Sequence, residues 1–123
     1  MRPFIGVLIT CAATLAAANP AFADTATAKQ FLQLDASEDG KGLAELKIAA
    51  LEEGIRVANA RLAGTAGSKP LYCQPASLVL TGSQLADMVG RAVGQNDKLE
   101  DVPVPAVLLG VLEKTFPCTA GSH

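Results

Sequence analysis

Histidine is almost missing from this chain, and the single one, His123, is the last residue. A general base for a serine or threonine nucleophile therefore has no candidate within the body of the protein. There is no Cys/His cluster at ligand spacing, so a zinc site is not predicted, nor any cofactor. Glycine-rich phosphate loops and dinucleotide fingerprints are absent as well. Tryptophan is lacking and aromatics make up only 4% of a chain that is half hydrophobic. That balance favours Ala/Leu/Val helices over an aromatic-rich β-fold. We expect no enzymatic activity.

The 123 residues open with an export pattern. Arg2 gives the positive start, Phe4 to Ala18 the apolar run, and Ala21-Phe22-Ala23 an A-x-A cleavage site just after Pro20. Residues 1–23 are predicted to be a signal peptide and 24–123 one small domain in the periplasm. Leu8-Ile9-Thr10-Cys11 is a poor lipoprotein box, because Thr10 is an unsuitable residue before an acylated cysteine. The apolar run is also short for an uncut membrane anchor. Taking Arg2 from the 10 basic residues, against 12 acidic ones, leaves a net charge of −3. Such mild acidity argues against nucleic acid and anionic membrane surfaces as partners.

Cysteine is scarce too, with three in all. Cys11 leaves with the signal peptide, and in an oxidising compartment Cys73 and Cys118 have one intramolecular pairing open to them. No C-x-x-C spacing points to redox chemistry, so the pair is predicted to be structural. The bond would turn two helices and the loop between them into one closed unit.

What is plentiful is helical periodicity. Asp24 to Leu34 reads as a first helix with Thr25 or Thr27 as N-cap and Ala28, Phe31 and Leu32 on one face. The next stretch, Asp35-Ala36-Ser37-Glu38-Asp39-Gly40, looks like the opening of a calcium loop. Its twelfth position is Leu46, however, with Glu45 one residue early, so an acidic turn in which Asp39 caps the next helix is expected instead. Leu43 to Leu62 follows as a long helix. Ala44, Ile48, Leu51, Ile55, Ala58 and Leu62 recur at helical spacing, with Leu43, Ala50, Gly54 and Val57 as a neighbouring apolar stripe. Glu45, Glu52, Arg56 and Asn59 are expected on the solvent side.

Ala63 to Pro70 reads as a loop and Leu71 to Leu80 as an irregular connector. Thr81-Gly82-Ser83-Gln84 is a capping box, flanked by Leu80 and Leu85 at the hydrophobic-staple positions. It starts a helix whose Leu85, Met88, Val89, Ala92 and Val93 face inward as far as Gly94. A polar, turn-rich stretch runs from Gly94 to Asp101. Pro103 and Pro105 introduce a last helix, with Val107, Leu108, Val111 and Leu112 buried, and Pro117 ends it. The expected fold is all-α, a small four-helix bundle-like domain stapled by one disulfide.

Tyr72-Cys73-Gln74-Pro75, the helix start Thr81 to Val89 and the terminal Phe116-Pro117-Cys118 resemble, in that order, the Rap/Tai family of immunity proteins. The likeness is good from Leu71 to Cys118 and loose from Leu43. It implies a small helical periplasmic protein, often a homodimer, that occludes the active site of a peptidoglycan amidase delivered by type VI secretion. Cys73 and Cys118 correspond to the family's disulfide. The loop after the third helix would meet the amidase, through Gln95, Asn96, Asp97, Lys98, Glu100 and Asp101. Two departures stand out: no extra cysteine pair lies near the first two helices, and Gln95-Asn96-Asp97 replaces a His-Pro turn. The alternative is a periplasmic stress or chaperone-like helical protein without a toxin partner.

Overall fold

The computed structural model describes residues 25–119, and the expected signal peptide, its rival lipidation site and His123 lie outside them. Four α-helices follow one another: α1 Ala28–Ala36, α2 Lys41–Ala63, α3 Gly82–Gln95 and α4 Val104–Thr115. A single 3-10 turn, Asp97–Leu99, sits between α3 and α4. The described residues form no sheet, only an isolated antiparallel bridge between Thr27 and Pro103. The all-α four-helix expectation holds, and Cys73 is bonded to Cys118 across 45 positions.

Two helices begin on the same device. Thr27 and Thr81 each accept the N–H of the residue three ahead, and Gln30 and Gln84 reach back to the cap's own N–H. Each capping box satisfies two amides that a helix start leaves orphaned. Thr27, one of the two expected caps, is thus the N-cap of the first helix, which extends to Ala36, two residues past the expected end, while Asp24 lies outside the described residues.

The start of α2 corrects a second expectation. Its N-cap is Gly40, with no side-chain cap, so Asp39 does not cap the helix. The Ser37 hydroxyl does the local work instead, donating to the Leu34 carbonyl at 2.7 Å and accepting the Gly40 N–H at 3.0 Å. The turn is so tight that a Cβ on Gly40 would collide with Ser37 Oγ and the Leu34 carbonyl.

The core runs through all four helices: Ala28 and Phe31 of α1, Ala44 and Ile48 of α2, Leu85 and Val89 of α3, Leu108 and Leu112 of α4, with Tyr72 from the connector. Truncating a fully buried leucine such as Leu85 or Leu112 to alanine costs about 2–5 kcal/mol. α3 packs on α2 through Gly82, where a Cβ would approach the Glu45 Cα to 2.9 Å. Met88, Ala92 and Val111, expected in the core, are half-buried at its edge.

The long helix turns Ala44, Ile48, Leu51 and Ile55 of its expected main stripe to the core, but not the neighbouring stripe. Glu52 and Asn59, placed on the solvent side from sequence, are buried. Leu43, Ala50, Gly54, Val57 and Ala58, placed inward, are exposed, and Glu45 is half-buried. Ile48, Leu51 and Ile55 do pack on the core. The reason lies outside the helix: the connector 71–80 lies against it and needs hydrogen-bond partners there.

Candidate functional site: a braced loop and a strapped groove

The polar residues expected to meet a partner occupy the α3–α4 connection, and the structure brings them together. Gln95 is the last residue of α3. Asn96 caps the 3-10 turn by accepting the Lys98 N–H at 3.3 Å. Asp97, Lys98 and Asp101 are exposed, and their side chains make no hydrogen bond or ion pair with the described residues. Glu100 differs: it is half-buried and pairs with Lys29 at 3.4 Å. Between them Leu99 and Val102 turn inward against the core.

This connection is no free projection. The Ala28 N–H donates to the Val102 carbonyl and the Lys29 N–H to the Glu100 carbonyl, both at 2.9 Å. In return the Val104 N–H donates to the Ala26 carbonyl at 2.9 Å. Thus two of the orphaned amides at the start of α1 are satisfied by the loop itself. A cleft of about 400 Å³ opens beside it, between the α3 end and α4, with Gln95, Asn96 and Leu99 on one wall and Gly110 and Lys114 on the other. The backbone contacts to α1 carry no residue-type signature, so sequence reasoning missed the brace.

The second concave feature lies along α2. Connector residues Pro70 to Leu78 strap over Asn59, Ala60 and Ala63 and leave a groove of about 700 Å³ with Arg56 at its rim. The strap is held by one buried side chain. Asn59 Nδ2 donates to the Tyr72 carbonyl at 2.8 Å, while its Oδ1 accepts the Leu71 N–H at 2.6 Å and the Tyr72 N–H at 3.4 Å. Cys73 then donates its N–H to the Phe116 carbonyl at 2.8 Å, beside the disulfide that joins the strap to the end of α4.

Tyr72 Oη, Gln74 Oε1 and Glu52 Oε1 are buried and have no hydrogen-bond partner among the described residues. Burial pushes the Glu52 carboxyl above its ordinary pKa, and Arg56, 4.0 Å away, offsets this only in part. Burial likewise raises the Tyr72 phenol, with the Glu52 carboxylate adding to it.

At the acidic turn, Lys41 lies between two carboxylates. Its ammonium contacts Glu45 at 2.8 Å and Asp35 at 3.8 Å, and the Glu45 bond holds its pKa above the usual lysine value. Ser37 is spent on local backbone. Among the described residues no group of three or more His, Cys, Asp or Glu could hold a metal ion, and no helix is long and apolar enough to cross a membrane.

No protein-family model matches the chain, and neither a curated protein nor a solved structure does.

Proposed function

We propose that the protein is a periplasmic immunity protein that binds a peptidoglycan amidase and blocks its catalytic cleft with the α3–α4 connection. The observation that carries this reading is the brace: three backbone hydrogen bonds tie residues 100–104 to 26–29. A polar loop fixed in this way presents Asp97, Lys98 and Asp101 in one conformation, so little ordering entropy is lost on binding. The resemblance of the Tyr72–Pro75, Thr81–Val89 and Phe116–Cys118 segments to the Rap/Tai family supplies the class of partner. The cysteine staple suits export, since such bonds persist in oxidising compartments.

The test is capture from periplasmic extract followed by reconstitution. A captured amidase should lose peptidoglycan hydrolysis on stoichiometric addition of this protein. Failure of any amidase, captured or encoded beside the gene, to be inhibited would refute the reading.

A second reading, a chaperone-like protein, has one observation in its favour. Leu43, Leu46 and Val57 stand exposed on α2, as apolar client-binding surface would. Suppression of client aggregation without any amidase inhibition would select it.

A further inference from the structure

The strapped groove along α2 lies wholly within the basic part of an acidic protein. Acidic residues outnumber basic ones 12 to 10 in the chain. Yet between Glu53 and Asp87 it carries Arg56, Arg61 and Lys69 and no carboxylate side chain. Every residue lining the groove falls inside this stretch. Arg61 and Lys69 are exposed and pair with no carboxylate among the described residues. The Arg56 side chain is 56% exposed, and its one ion pair, Nε with Glu52, is a loose 4.0 Å. The rest of its guanidinium is free for an anion.

The shape of the groove narrows the choice of anion. Arg56 is the first residue of α2 to line it and Ala63 the last. Seven residues of helix span about 10 Å, the reach of roughly three residues of extended chain. The walls are small and apolar, with Ala60 and Ala63 from the helix and Pro70, Pro75 and Ala76 from the strap. On the strap, the Gln74 and Ala76 N–H groups make no hydrogen bond with the described residues. The Gln74 amide is half used: Nε2 donates to the Leu78 carbonyl at 2.9 Å, while Oε1 is covered and unpartnered. The terminal torsion of glutamine is soft, so a small turn offers Oε1 to an N–H lying in the groove.

We propose that this groove binds the end of a short extended peptide, its free terminal carboxylate on Arg56 and its small side chains against the alanines and prolines. A carboxylate can take two parallel hydrogen bonds from a guanidinium, which a carboxamide cannot match in strength. The peptide's carbonyls accept from the strap amides, and its N–H groups turn to Gln74. A chain end fits better than an internal acidic side chain, because no residue of α2 before Arg56 continues the groove. The groove shares no lining residue with the cleft beside the α3–α4 connection, so the proposal stands apart from what that loop binds.

An NMR titration of the oxidised protein with N-acetyl-trialanine tests it. Saturable shifts should be confined to the amides of Arg56, Ala60, Ala63 and the Gln74–Leu78 strap. The same peptide with a terminal carboxamide should bind at least about tenfold more weakly. Arg56→Gln should erase that preference. Ala60→Leu places a good helix former in the groove, so it should stop binding of both peptides with an unchanged circular dichroism spectrum. No saturable shift with the free acid overturns the proposal, as does equal binding of acid and carboxamide. Acetate alone matching the peptide would reduce the groove to an adventitious anion site. Tighter binding of N-acetyl-Ala-Glu-Ala carboxamide than of the free acid would overturn the chain-end assignment in favour of an internal acidic residue.

Discussion

Asn59 holds Tyr72 by both of its backbone groups, giving to its carbonyl at 2.8 Å and taking from its N–H and that of Leu71. One amide side chain thereby satisfies three buried or part-buried backbone groups of a segment that has no secondary structure of its own. Removing it leaves those groups without a partner, at about 1–3 kcal/mol for a buried one. Asn59→Ala should lower unfolding free energy by that order in a denaturant titration. Asn59→Asp should cost at least as much at neutral pH, because it deletes the donor and buries a charge. A fully stable Asn59→Ala protein would show that the strap is held by the disulfide alone.

The disulfide restrains the same strap from its other side. Joining Cys73 to Cys118 closes a loop of 45 positions, which the chain-entropy model values at roughly 4 kcal/mol. For a domain of this size that is a large share of total stability. Cys118→Ser should lower the melting temperature steeply, and dithiothreitol should do the same to the wild type. The two effects should not add, since both remove one constraint. Additive losses in a thermal scan would count against this.

Glu52 gives the fold a pH dependence whose sign can be worked out. Glu52 is 7% exposed, and burial raises its carboxyl pKa in the folded state above the ordinary 4.5. The folded protein therefore holds this proton more tightly than the unfolded chain does. Stability from this group is present below the unfolded value and is lost as pH rises through the folded one. Glu52→Gln keeps the shape without the charge. It should be more stable than wild type at pH 7, and the difference should shrink towards pH 4. Denaturant titrations of both proteins at the two pH values check it. A glutamine variant less stable at pH 7 than at pH 4, relative to wild type, would mean that the Arg56 pair outweighs burial.

What the sequence disclosed and what it hid follow from the range of the interactions. The capping boxes at Thr27 and Thr81 are three-residue signatures, read directly, and the cysteine pair follows from counting. The main stripe of α2 was legible, but how far its apolar face is buried was not: Leu43 and Val57 are as hydrophobic as Ile48 and Leu51, yet they are exposed. Periodicity alone cannot tell whether a second apolar stripe beside the first is buried as well. The deciding demand comes from Leu71 and Tyr72, whose backbone groups need Asn59. The acidic turn misled for a similar reason, since Ser37, not Asp39, reaches the free amide. Of the six residues expected to meet a partner, Gln95 closes α3 and Glu100 is engaged with Lys29, neither of which sequence reasoning showed.

That engagement changes how the loop should be tested. Asn96 and Glu100 support the loop's own structure, so their replacement mixes binding with folding. Asp97 and Asp101 are exposed and make no bond within the described fold. The double variant Asp97→Ala/Asp101→Ala should keep the wild-type melting temperature within the small range typical of surface changes. In an amidase cleft these carboxylates would be taken out of water against hydrogen-bond donors, and truncating one partner of such a pair is costly. The double variant should therefore bind the amidase at least about tenfold more weakly. Lys29→Ala supplies the complementary arm. It frees Glu100 without touching the exposed carboxylates, and should weaken binding less than the double variant, through a looser loop. Calorimetry of each variant against the inhibited amidase measures both effects. Undiminished affinity in the double variant would move the contact surface off the α3–α4 connection, and the groove beneath the Pro70–Leu78 strap would be the next place to mutate.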